Sequence, residues 1–205
     1  LAAVATLALA APAAVAQHSP SEASPPAFRA APIEPQPLTV REKFNFYADK
    51  TFGLETWFVA GASAGYRQAI DSPPEWGQGM EGYSKRLGSV LARRAIKNTV
   101  EFSVGAALRE DPRYYGCDHE GFALRLWHAV ASTFVTRRDD GVRVPDVGRV
   151  SGAMAAGFAS NAWYPDRLSD TSHAFSRAGI MLGGDAVLNV LREFMPDMKR
   201  KLRGR

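Results

Sequence analysis

Glu75, Glu101, Glu110, Asp111, His128 and Asp185 are the residues of this chain whose type and setting suit acid–base chemistry. The most informative of them stand in helical patterns. Glu101 lies in the apolar stretch TVEFSVGAAL, three residues after Asn98. Asp185 precedes Asn189 by four, which puts the pair on one helical face, and His128 in LRLWHAVAS shares a face with Arg125. Turned inward, such faces form a buried polar network in which an unpaired carboxylate is costly and its pKa displaced. Two chemistries fit: an Arg or Lys neutralises each acid structurally, or a carboxylate such as Glu75 or Glu101 serves a hydrolase. Structural pairing is the default, because ion-pair networks perturb pKa values as active sites do.

Glu75 belongs to the loop DSPPEWGQGM. Pro73 and Pro74 impose an extended start, Gly77 and Gly79 permit backbone angles a side chain forbids, and Trp76 is a large anchor between them. These features make a stiff corner between helices. As an acid or base, Glu75 has no His or second carboxylate near it in sequence. Similar helix exits recur in EDPRYY and SNAWYPDRL. The binding candidates are therefore Trp76, Arg113, Tyr114, Trp163 and Tyr164, which either converge on an aromatic rim at the ends of a bundle or cap its core.

HExxH, GxSxG, Walker, GxGxxG and CxxC patterns are all absent. Cys117-Asp118-His119-Glu120 strings four ligand types together, but adjacent residues rarely converge on one ion. No metal, cofactor or nucleic-acid partner is expected.

The elements that must position these residues are helical. Apolar periodicity predicts helices over residues 38–52, 55–70, 80–110, 121–137, 146–161 and 172–195, with Pro73, Pro112 and Pro196 as stops and DDGVRVP as a turn. The predicted fold is mainly α, a compact bundle of five to six helices in a single domain over 38–198. Gly61 with Gly65, Gly88 with Ala92, Gly152 with Ala156 and Gly179 with Gly183 put small residues four apart, as strips for close helix packing. Each such Gly costs about 1 kcal/mol of helix propensity relative to Ala, which packing must offset.

The run LAAVATLALAAPAAVA, Leu1 to Ala16, reads as an export signal ending in Ala14-Val15-Ala16. It lacks the Met and basic start of a whole leader, as expected of a sequence that begins inside one. Residues 17–37 read as a Pro/Ser/Ala-rich linker. Cys117 is the only cysteine, so the chain has no internal disulfide and relies on burial. A hydrophobic fraction of 46% excludes a disordered chain, and a net charge of +4 points weakly to anionic partners. Lys85, Arg86, Arg93 and Lys97 recur every three to four residues, with Leu87, Leu91 and Ala95 expected toward the core. Lys199, Arg200 and Lys201 open a basic tail over 199–205. Both sets are candidate contacts to an anionic lipid or lipopolysaccharide surface.

The segments PPEWGQGMEGYSKR, EDPRYY, SNAWYPDRL and REFMPDMKRK resemble those of a group of uncharacterised exported helical proteins of Gram-negative soil bacteria. The resemblance covers the chain from about Phe44 onward and implies a recurring fold without assigning an activity. The sequence thus predicts an exported protein of the periplasm or the periplasmic face of the outer membrane, with a structural or binding role and an envelope-protein or lipid partner. A carboxylate-dependent hydrolase and a helical membrane-embedded protein are the alternatives.

Overall fold

Thr39 starts the first helix with a capping box: the Glu42 N–H donates to its hydroxyl at 3.3 Å, and its own N–H donates to the Glu42 carboxylate at 2.8 Å. A computed structural model describes residues 36–117 and 121–204. The predicted export signal, the linker up to residue 35 and Asp118-His119-Glu120 lie outside the described residues.

Helix α1 spans Val40–Phe52 and α2 Leu54–Ala69. The DSPPEW corner follows, with a single 3-10 turn at Pro74–Trp76. Gly77 and Gly79 both have positive φ, 70° and 75°, as a turn between helices requires. Helix α3, Gly79–Ala107, is the central rod. The remaining elements are β1 (Glu110–Asp111), α4 (Phe122–Ala131), β2 (Val135–Arg138), β3 (Arg143–Pro145), α5 (Val147–Ala159) and α6 (Thr171–Arg203). The described residues therefore form a mainly α-helical bundle, with α1, α2 and α5 packed on α3, and α4 and α5 on α6.

Close approach is concentrated on α5. A Cβ at Gly152 would fall 2.5 Å from the Lys97 carbonyl oxygen on α3, and one at Gly157 would fall 2.5 Å from the Ala174 carbonyl oxygen on α6. The Gly152/Ala156 strip is thus a packing surface. By contrast, a Cβ at Gly65, Gly88, Gly179 or Gly183 meets nothing within 4 Å, and one at Gly61 only brushes the Tyr83 hydroxyl. Those three strips do not make close helix contacts.

Three further expectations are corrected. Residues 121–137 are not one helix: α4 ends at Ala131, and β2 pairs antiparallel with β1 and β3, so DDGVRVP closes a hairpin. Pro196 does not end the last helix but sits inside it. There Arg125 clamps the Glu193 carboxylate and carbonyl and the Asp197 carboxylate on either side of the missing N–H. The third concerns the rotation of α3. Its buried residues are Gly82, Arg86, Ser89, Arg93, Lys97, Asn98, Glu101 and Gly105, while Leu87, Leu91 and Ala95 are only half-buried.

The core is consequently built of small and charged residues. Among the described residues its buried apolar members are Tyr47, Tyr164, Pro73 and seven alanines, and Arg86 and Glu101 are among the largest fully buried side chains. Large apolar side chains, such as Phe58 (79% exposed) and Trp127 (72%), lie outside.

Candidate functional site

Glu101 on α3 is the hub of the buried charge. Its carboxylate accepts from Lys97 at 2.6 Å and from Lys50 of α1 at 2.9 Å, and Arg149 of α5 lies 3.5 Å away. Lys97 also pairs with Asp185 of α6 at 2.9 Å, and Arg149 with Asp146 at 3.1 Å. Three cations therefore face three carboxylates, and four helices meet on the cluster. Burial pushes the Glu101 pKa up, but Lys50, Lys97 and Arg149 outweigh it and hold the carboxyl well below the usual range. Burial drives Lys50 the other way, down to about 8, against the attraction of Glu101. A carboxylate so firmly ionised and so fully paired is a structural anion and a poor general base.

The other acids are also engaged. Glu110, at the start of β1, accepts the N–H groups of Val147 and Gly148 at 3.1 and 3.0 Å, which caps the start of α5. Burial raises its pKa, against those bonds. Asp111 takes Arg113 at 2.9 Å and the Tyr115 hydroxyl at 2.7 Å. Burial raises its pKa, yet these bonds prevail and the group ends below the carboxylate norm. Glu75 is solvent-exposed and pairs with Arg167 across the bundle end. Its low pKa follows first from that hydrogen bond.

The DSPPEW and SNAWYPDRL loops converge, as two of the three predicted exits. The Trp76 and Tyr164 rings are 4.9 Å apart, Arg177 and Arg93 lie 4.5 and 5.6 Å from the Tyr164 centroid, and Trp163 donates to the Ser89 hydroxyl at 3.0 Å. With Tyr164 buried and both arginines stacked on its ring, the cluster closes this end of the core.

EDPRYY lies elsewhere and borders a cavity of about 140 Å³ between β2, β3, α4 and α5. Its walls bring together the predicted Arg113, Tyr114 and His128 with Arg137, Arg143 and Arg149. The Tyr114 hydroxyl donates to Glu193 at 2.8 Å, and its ring lies 6.1 Å from that of His128. Burial, then the bond to Glu193, raises the Tyr114 pKa.

Of the basic residues expected to meet an anionic surface, Arg86, Arg93 and Lys97 are buried. Arg86 pins the DSPPEW corner, donating to the carbonyls of Ser72, Pro73 and Gly77 at 3.1, 2.9 and 2.7 Å. The correction has a simple cause: basic and apolar residues both recur at helical spacing on α3, and that spacing is the same whichever set turns inward. Lys85 is exposed but paired with Glu81 at 2.7 Å. Lys199, Arg200 and Lys201 are exposed near the end of α6.

Lys50, Asp146, Arg149, Arg177 and Glu193 escaped sequence reasoning. Each sits among ordinary surface-like residues, and its role depends on a partner more than 15 residues away or on a neighbour within one turn. No family model, curated protein or solved structure matches the chain.

Proposed function

We propose that the protein is an exported cell-envelope component with a structural or binding role, attached peripherally to an anionic membrane surface. The observation that carries this reading is the exposure of large apolar side chains on α4 and at the end of α6. Phe122, Leu124 and Trp127 are exposed on α4, and the Phe122 ring lies 5.2 Å from Phe194 on α6. Met195 and Met198 are exposed farther along α6, followed by Lys199, Arg200 and Lys201. Aromatic and apolar side chains beside Lys and Arg suit a helix lying in the headgroup region. Each basic group near an anionic surface contributes about 1 kcal/mol.

The hydrolase reading has less support, because each candidate carboxylate already holds a cation or backbone N–H groups. Among the described residues no helix is long and apolar enough to cross a membrane, which favours attachment over spanning.

Vesicle co-sedimentation tests the proposal. The protein should sediment with phosphatidylglycerol-containing vesicles, less at high salt, and a Phe122→Ser/Trp127→Ser variant should lose most of that binding. Equal sedimentation with neutral phosphatidylcholine vesicles, or an unaffected variant, would overturn it. For export, mass spectrometry of the periplasmic fraction should give a chain beginning at Gln17.

A further inference from the structure

We propose that the cavity between the β2–β3 hairpin and α4 binds a phosphate-type oxyanion, gripped by Arg137 and Arg143. This inference is independent of the membrane-attachment reading and concerns a different face of α4's surroundings, the interior wall rather than the exposed Phe122/Trp127 patch.

The first observation is the strand register. Arg137 on β2 is directly opposite Arg143 on β3, and both line the cavity. Like charges directly opposite in an antiparallel pair repel and destabilise the sheet, and an anion between them would relieve that repulsion. No acidic side chain among the described residues forms an ion pair with either guanidinium.

The second observation is the charge balance of the walls. Arg113 and Arg149 also line the cavity, but both are already matched: Arg113 by Asp111, and Arg149 by Asp146 and Glu101. Among the described residues, the two positive charges of the cavity walls without an acidic partner are therefore those of Arg137 and Arg143. The Arg137 guanidinium lies 4.9 Å from the Tyr115 ring centroid, a cation–π contact that orients its fork, and Arg113 lies 5.8 Å from the same ring. Pre-oriented guanidinium forks match the paired oxygens of a phosphate better than any single-point donor.

The third is size and access. A cavity of about 140 Å³ is ample for a phosphate group. Arg143 is exposed, so the mouth reaches solvent. The Tyr114 and Tyr115 hydroxyls are committed to Glu193 and Asp111, which leaves recognition to the arginines and to His128, whose buried Nδ1 has no hydrogen-bond partner.

The shared chemistry is a phosphate monoester or inorganic phosphate, and the source is either a free solute or a lipid headgroup. Thermal denaturation and calorimetric titration with the full chain test the site, using inorganic phosphate against sodium chloride at equal ionic strength. Phosphate should raise the melting temperature of the parent above the chloride control. Arg143→Gln should weaken phosphate binding about tenfold, the loss of one charge-assisted contact. In chloride alone Arg143→Gln should melt at or above the parent, because it relieves the repulsion; this shows that the variant folds. Equal stabilisation by chloride and phosphate, or undiminished binding to an Arg137→Gln/Arg143→Gln variant, would sink the proposal. Soluble dihexanoyl phosphatidic acid supplies the second arm. Displacement of phosphate by this lipid assigns the site to a headgroup, binding of phosphate alone assigns it to a free solute, and binding of neither overturns it.

Discussion

Glu101 shows how a single side chain gains its meaning from distant partners. It is 2% exposed and faces Lys50, Lys97 and Arg149. Glu101→Gln would leave buried cations without their central anion, so it should cost about 3–5 kcal/mol in a urea titration. The carboxyl's folded pKa is depressed. Its contribution is therefore fully present above the ordinary value of about 4.3 and lost as pH falls through the folded value. Lys50 gives the opposite profile. Its folded pKa of about 8 lies below the ordinary value of about 10.4, so the unfolded chain binds the extra proton between them, and stability owed to this group rises with pH over that window. The stability of the parent relative to Lys50→Met, measured from pH 7 to 10, should therefore increase above pH 8. A flat difference would mean that Lys50 is not desolvated in the folded state. The sequence made Glu101 visible as a charge in an apolar run. It left Lys50 and Arg149 unmarked, because a lysine or arginine on a helix reads the same whether it faces water or a buried acid.

At the scale of elements, the same glycine spacing has two outcomes. On α5, Gly152 faces the α3 backbone at a distance no Cβ tolerates, so Gly152→Ala must push the helices apart. It should cost about 1–3 kcal/mol. Gly88 and Gly179 are exposed with open space at the Cβ position. There Gly→Ala should raise stability by about 1 kcal/mol at most, through helix propensity alone. Thermal melts of the three variants check both signs together. The difference was invisible in the sequence, since a small residue four positions from another marks a narrow helix face but not what lies opposite. Similarly, Pro196 predicts a helix end from local chemistry, and the tertiary clamp of Arg125 on Glu193 and Asp197 carries the helix past it.

For the whole molecule, the governing feature is the distribution of polarity, with alanine, glycine and charge inside and large apolar side chains outside. Water alone disfavours so much exposed apolar surface, which is the reason to expect a covering surface or partner. If that surface is an anionic membrane meeting α4, a variant retaining only Trp127 should show a blue-shifted emission on adding anionic vesicles. A variant retaining only Trp163, half-buried and bonded to Ser89, should not change. Equal shifts at both positions would argue against docking through α4. The sequence by itself determined the helical class, most helix limits and the DSPPEW corner, because hydrophobic period, proline and glycine act within a few residues. Only the tertiary structure decided which face of α3 turns inward, which glycines are contacts and where the arginines of the β2–β3 hairpin meet. Those outcomes depend on pairing between groups far apart in the chain, where buried charge is tolerated only beside an opposite charge, a carbonyl or an aromatic face, and two helices close where one of them lacks a side chain.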